Sequence, residues 1–299
     1  MNILVIGCNG FIGTNISKYF SNYGWKVFGC DFQESGSAHI SYFQTNLRNE
    51  GLEVFLRNNL VEVCINAGGS GDVGFSIKEP VKDFDSNSTC VIGILDLLRK
   101  IKPKCKYLHI SSAAVYGNPK SLPILENQIC EPISPYGYHK WIAEIICKEY
   151  QTVYGLQIAV IRPFSAYGPQ QRKQLLWDIC SKLKDSKDIL LSGTGNESRD
   201  FIHVTDLARL MHEIIKRDLF IGNVFNCASG IETSIGQVAE YFKEHYANKI
   251  DIRFSGELRP GDPLNWRADI SSALSMGFKP SINLREGIID YINWFTSNC

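Results

Sequence analysis

The chain has 299 residues, enough for one large α/β unit or a main domain with a smaller appendage. Its residues are 44% apolar and 21% charged, ordinary for a globular protein, and no run approaches the ~20 apolar residues that span a bilayer. Lys plus Arg and Asp plus Glu both number 31, so no net charge marks a nucleic-acid or acidic-membrane partner.

The first residues enter a strand at once, so no secretory signal is expected. Residues 2–6 (NILVI) read as a strand buried on both faces of a parallel sheet. GCNGFIG follows, with Gly7, Gly10 and Gly13, and then a helical pattern through Phe20. Strand, glycine turn and helix N-terminus make a pyrophosphate site, because free backbone N–H groups and the helix dipole face the anion. The second strand, WKVFGCD, ends in Asp31, placed to hydrogen-bond the adenosine ribose hydroxyls and to repel a 2′-phosphate. That favours NAD(H) over NADP(H); the competing reading is a surface turn residue. Gln44-Thr45-Asn46-Leu47 closes a third strand that could flank the adenine.

Residues 61–66 (VEVCIN) form another buried strand running into Ala67-Gly68-Gly69-Ser70-Gly71, small residues that let a ligand approach the backbone. A long helix is expected from about Val81 to Lys100, carrying Asn87. The strand Tyr107–Ile110 then delivers Ser111 and Ser112 to the carboxyl edge of the sheet, where binding groups gather in open α/β sheets.

Ser134 to Tyr150 is an apolar-periodic helix that holds Tyr136 and Lys140 four residues apart on one face. A neighbouring cation favours phenolate over phenol, so the spacing leads one to expect a tyrosine pKa lowered from near 10 toward neutrality, about three units or roughly 4 kcal/mol. Such a phenolate is a general base for a sugar or alcohol hydroxyl. Taken alone the spacing is common, and by itself it favours the plainer reading of a helix-opening tyrosine with a solvated lysine.

QIAVIRPF forms a further strand leading to SAYGPQQR. Beyond about Gln170 the β/α alternation loosens: helices over 175–184 and 235–247, the loop SGTGNESRDFIHVTDLARLMHEIIK, GELRPGDPLNWRADI and a terminal helix over 284–295 suggest a smaller second unit. Residues 1–168 would be the dinucleotide domain and 169–299 mostly the substrate domain, with segments near 198–228 packing back onto the first. The ten cysteines include no pair within three residues, so CxxC redox and zinc spacings are absent and no metal is expected. Cys8, Cys30 and Cys64 fall in buried runs as small hydrophobes, which reads as reduced thiols in the cytoplasm.

The glycine triplet, SSAAVYG, Tyr136-x-x-x-Lys140, RPFSAYGP, RDFIHVTDLA and RPGD, in this order over nearly the whole chain, resemble the extended short-chain dehydrogenase/reductase family, in its NAD-dependent nucleotide-sugar epimerase/dehydratase branch. The resemblance implies a Rossmann-type doubly wound α/β fold, a smaller C-terminal α/β substrate domain and NAD as cofactor. It implies Ser112, Tyr136 and Lys140 as catalytic residues, Ser112 standing four before Tyr116 of VYG. Lys140 would also hold the nicotinamide ribose, and Gly7, Gly10, Phe11, Ile12, Gly13, Asp31, Asn46, Leu47, Ala67, Gly68, Tyr136 and Pro163 would line the cofactor. Ser112, Ser165, Arg199 and Arg259 would meet the nucleotide-sugar; planar, permanently charged guanidinium groups suit a diphosphate, while ion pairing with Asp200 and Asp262 is the structural alternative.

Two departures from the branch carry information. Dehydratases carry an Asp-Glu pair after the catalytic Ser/Thr, where this chain has Ala113 and Ala114, which cannot move a proton. Ser165 stands where many relatives have asparagine, which leaves substrate pose open. The reading is hydride chemistry at a sugar carbinol, as a C4 epimerase through a transient 4-keto-sugar; the alternatives are a keto-sugar reductase or dehydrogenase, and a non-catalytic NAD-binding module. A homodimer is implied by resemblance, with Ile142, Ile145, Ile146 and Val153 as available apolar surface.

Overall fold

The computed structural model describes residues 1–34, 36, 40–46, 50–246 and 249–299. The chain opens with β1 (Asn2–Ile6), α1 (Phe11–Asn22), β2 (Lys26–Asp31), β3 (Ser41–Gln44), α2 (Glu50–Asn58) and β4 (Val63–Asn66). Short helices α3 (Val73–Lys78) and α4 (Pro80–Phe84) precede α5 (Cys90–Ile101), β5 (Lys106–Ile110), the long helix α6 (Pro135–Tyr154) and β6 (Ile158–Pro163). There follow β7 (Ser165–Tyr167), α7 (Gln174–Asp185), β8 (Asp188–Leu191), β9 (Ser198–His203), α8 (Val204–Lys216) and β10 (Ile221–Cys227). The chain ends with β11 (Glu232–Ser234), α9 (Ile235–His245), β12 (Asp251–Phe254), α10 (Ser271–Ser275) and α11 (Leu284–Asn298).

Seven strands form one parallel sheet in the order β10-β6-β5-β4-β1-β2-β3. The order reverses between β1 and β4, the switch point where doubly wound sheets open a crevice for ligands. The apolar runs of β1, β4, β5 and β6 are buried on both sides, as strands sandwiched between helices must be. One core lies between the sheet and helices α1 and α8, and another lies under α2, α5 and α6. A third core joins α7, α9 and α11 to the two-stranded sheet β12-β8. Residues 221–227, late in the sequence, run parallel to β6 and complete the large sheet, while β11-β9-β7 forms a separate three-stranded sheet.

The helix expected over 81–100 is interrupted. Residues Asp85–Thr89 form a π-helical turn between α4 and α5. The extra residue in that turn carries Asn87 and Ser88 inward, where Asn87 Nδ2 donates to Ser70 O (3.2 Å) and Ser88 Oγ donates to His139 O (2.8 Å). Single π turns inside helices are uncommon and concentrate at functional sites.

Candidate active site

The carboxyl ends of β1, β2 and β4 build a cradle. Gly7 sits at φ +75°, and a Cβ there would lie 2.7 Å from Gly68 Cα, so the first and fourth strand ends touch backbone to backbone. A Cβ on Gly13 would lie 2.0 Å from Gly7 O, which presses α1 against the turn. Gly10 is the N-cap of α1 and offers no capping side chain, leaving the first helical N–H groups, those of Phe11 and Ile12 among them, for an anion. Asp31 closes β2, 6% exposed, and accepts from Asn9 N (3.1 Å) and Phe32 N (2.8 Å). Two bonds on two carboxylate oxygens leave lone pairs for a diol. Ala67 and Gly68 follow β4, with Ala67 N bonded to Ile6 O (2.9 Å) and Gly68 N to Asn66 Oδ1 (3.0 Å). Asn46 is exposed just beyond β3, and Leu47 lies outside the described residues. The cradle fits a dinucleotide: close backbone approach, a bare helix N-terminus and a carboxylate at the second strand's tip.

The C-terminal end of β5 and the N-terminal turns of α6 bring the candidate side chains Ser112, Tyr136 and Lys140 to one place. Ser112 caps a short 3-10 turn, Ala113–Tyr116, by accepting from Ala114 N (3.1 Å). Ser134 caps α6 by accepting from Gly137 N (3.2 Å), with Pro135 in the first turn, which places Tyr136 at the helix mouth and Lys140 one turn deeper. Lys140 is buried and its Nζ donates to Ile110 O (3.0 Å). The Ser112 hydroxyl neighbours the Tyr136 phenol and acts to lower its pKa.

The electrostatics differ from the expectation drawn from spacing. Burial pushes the Tyr136 phenol up to about 12; the Ser112 hydroxyl pulls the other way, and the Asp83 charge adds to the rise. Burial likewise lowers Lys140 to about 8, with Asp83 and Glu144 opposing. Desolvation disfavours the charged form of both groups, phenolate and ammonium alike, and is the largest influence on each.

Behind this pair runs a buried network. Arg162 makes a bidentate pair with Glu144 (2.9 and 2.6 Å), which also accepts from Ser111 Oγ (2.5 Å). Arg162 Nη1 reaches Tyr116 OH (2.7 Å) and Glu126 O (2.9 Å), and Tyr116 OH donates to Asn226 Oδ1 (2.7 Å). The network ties β5, α6, β6 and β10 together one turn below Lys140. Pro163 closes β6, buried beside this network.

On the far side, Ser165 in β7 is half-buried and in register with Phe201 of β9. Arg199 Nη1 donates to Ser198 O (2.8 Å) and Leu264 O (3.3 Å), and its guanidinium lies 5.7 Å from the Trp266 ring centroid. Arg259 is exposed and stands 3.6 Å from Asp178. Asp262 interacts with both Arg199 and Arg259, and burial nonetheless raises its carboxyl. Asp200 is not an arginine partner: it is wholly buried and accepts from Ser229, Gly230 and Ala268.

Sequence reasoning passed over Glu144, Arg162, Asp83 and His139. Glu144 could have been found as a carboxylate four residues past Lys140 on the buried stripe of the same helix.

Fold and cradle together define a doubly wound, dinucleotide-binding enzyme of the α/β class. The chain belongs to the NAD dependent epimerase/dehydratase family, whose model matches residues 3–228. A protein of Methanocaldococcus jannaschii named "Putative UDP-glucose 4-epimerase" is 30% identical over 99% of this chain and 99% of its own. The UDP-N-acetylglucosamine 4-epimerase of Methanobrevibacter ruminantium M1, solved in complex with UDP-N-acetylmuramic acid, superposes with a TM-score of 0.90 at 26% identity, covering 100% of this chain and 99% of that one. The UDP-glucuronic acid 4-epimerase of Bacillus cereus, solved with UDP-glucuronic acid and NAD, shares the fold with a TM-score of 0.91 at 24% identity over 99% of both chains.

Proposed function

We propose that the protein is an NAD-dependent nucleotide-sugar epimerase that inverts C4 through a transient 4-keto-sugar, with Tyr136 as the base. The observation that carries the reading is the Tyr136 phenol, beside Ser112 and one turn above the buried Lys140, at the same sheet edge as the glycine cradle. Relatives matching nearly the full length act at C4 of UDP-sugars, by their names. Gly7, Gly10, Phe11, Ile12 and Gly13 would hold the pyrophosphate, Asp31 the adenosine ribose, and Lys140 the nicotinamide ribose. NAD, when bound, supplies the hydride acceptor and donor. Tyr136 removes the hydroxyl proton and later returns it, and Ser112 orients the reacting oxygen. Arg199 and Arg259 face the diphosphate, and Ala113 and Ala114 leave no side-chain acid or base for elimination.

The test incubates the protein with UDP-glucose, UDP-glucuronic acid and UDP-N-acetylglucosamine and follows the C4 epimers by proton NMR. Interconversion without added NADH, with NAD co-purifying, is the expected result. Turnover that consumes NADH with a keto-sugar would instead show a reductase, and full activity in Tyr136→Phe would remove Tyr136 from the mechanism.

The same reading extends to assembly and place. Val81, Phe84 and Ile92 beside Ile145 and Val153 leave apolar side chains exposed on α4, α5 and α6, whereas Ile142 and Ile146 are half-buried. This face suits a homodimer through a helix bundle, which sedimentation would read as a doubled mass. All ten cysteines are free, in keeping with the reducing cytoplasm. Among the described residues no helix is long and apolar enough to cross a membrane.

A further inference from the structure

Three residues along one face of α6 touch the segment that carries Ser112. Lys140 Nζ donates to Ile110 O (3.0 Å), and one turn further along the helix Glu144 Oε1 accepts from Ser111 Oγ (2.5 Å). One turn the other way, Gly137 lies so close to the 3-10 turn that a Cβ on it would stand 2.6 Å from Ala114 O. Positions 137, 140 and 144 follow the helical repeat, so residues 110–114 are laid along a single stripe of the helix. Ser112 stands inside this line, between the Ser111 bond and the Ala114 contact, and Tyr136 directly precedes Gly137.

These contacts are not equivalent. The Gly137 contact limits how near the two backbones can come and supplies no attraction. The Lys140 bond engages a group that the proposed reaction itself uses. Of the three, only the Ser111 bond is an attraction between side chains that take no part in the chemistry. Glu144 does not depend on it for charge: Arg162 holds both carboxylate oxygens, at 2.9 Å from Nε and 2.6 Å from Nη2. Ser111 is 4% exposed, and its amide donates to Ile161 O (2.8 Å) where the β5–β6 pairing ends. Past this point the chain leaves the sheet for the turn that Ser112 caps. A hydroxyl donating to a carboxylate is a strong, directional bond, and here it anchors the point of departure.

We propose that Ser111 is a positioning residue: through its bond to Glu144 it ties the end of β5 to α6 and fixes where Ser112 stands beside Tyr136. The catalytic purpose rests on the epimerase reading, whereas the tie itself does not. Ser111→Ala leaves the Arg162–Glu144 pair intact and removes only the tie, so the segment is held by its contacts at 110 and 114. Ser111→Thr keeps the hydroxyl donor.

Two measurements test the proposal. The first is hydrogen exchange of backbone amides in the cofactor-free proteins. In Ser111→Ala, protection over residues 112–117 should fall about tenfold more than protection in β1, because the opening is local. An equal fall in both segments, or no fall, would overturn the tie. The second is steady-state turnover of whichever UDP-sugar the wild type epimerises. Ser111→Ala should lower kcat by about tenfold or more, as a misplaced reacting group does, and leave KM within about twofold. Ser111→Thr should stay near the wild type. Added to Ser112→Ala, the Ser111→Ala change should cost little more, since the group it positions is already gone. An unchanged kcat in Ser111→Ala, an equal loss in Ser111→Thr, or a full further loss on top of Ser112→Ala would overturn the positioning role. Should Ser111→Ala not fold, Ser111→Cys, close in size and a weak donor, takes its place in each comparison. A wild type that turns over none of the three UDP-sugars would defeat the epimerase reading, while hydrogen exchange would still decide the tie.

Discussion

Lys140→Met should abolish turnover and yet leave the protein no less stable. In the native state the ammonium is lowered from the ordinary lysine value of 10.5 to about 8 by burial. A gap of about 2.5 units corresponds to a penalty of roughly 3 kcal/mol on the charged form at neutral pH. Methionine fills similar volume without charge, but it leaves the Ile110 carbonyl without the Nζ bond at 3.0 Å. An unpaired buried acceptor costs about 1–3 kcal/mol, so the net gain should be about 0–2 kcal/mol. The pH dependence is the sharper signature. Below about 8 the native and unfolded wild type both hold the lysine proton, and the penalty is full. Between about 8 and 10.5 the unfolded chain binds the proton and the native one does not, so wild-type stability rises with pH relative to the variant. The limiting slope is about 1.4 kcal/mol per pH unit. Buried thiols such as Cys64 and Cys227, whose pKa values are raised, give the opposite trend, but both proteins share them and the difference cancels them. Urea denaturation of the cofactor-free proteins from neutral to strongly alkaline pH measures this difference. A gap between variant and wild type that stays constant across that range would refute the argument.

Three further outcomes are expected. Gly13→Ala puts a Cβ 2.0 Å from Gly7 O, an atom of backbone that cannot swing away; NAD affinity, followed by calorimetry, should fall, with a loss of about 1–3 kcal/mol or more in stability. Asp31→Ser removes the negative charge at the tip of β2, 6% exposed; the preference for NADH over NADPH in direct binding should drop about tenfold, or ~1.4 kcal/mol. Glu144→Gln strips one partner from the buried pair at 2.6 Å and should cost about 3–5 kcal/mol in denaturant unfolding. The control Glu53→Gln breaks an exposed pair with Arg57 at 2.8 Å and should cost less than about 0.5 kcal/mol.

The cradle was legible because its demands are local. Gly7 at positive φ and Gly13 against Gly7 O can only be glycine, and Asp31 follows from where β2 must end. The Tyr136–Lys140 pair was legible as well, since a four-residue spacing on a helix is a statement about one face. Asp83 and His139 are 56 residues apart and Glu144 and Arg162 are 18 apart, and no local pattern joins either pair. The π turn had no local signal either; it exists because Asn87 and Ser88 find partners on other segments.

The same distinction explains why the expected phenol pKa had the wrong sign. Spacing reports that a cation is near, whereas desolvation comes from every strand and helix that closes over the pair. At about 12, the Tyr136 phenol is some five units from neutrality. A single neighbouring positive charge moves a pKa by about 1–3 units. Lys140 alone therefore cannot make Tyr136 a base at neutral pH, and its ammonium is committed to Ile110 O at 3.0 Å. In the proposed mechanism the oxidised nicotinamide ring of bound NAD, which is cationic, would supply a further positive charge beside Tyr136.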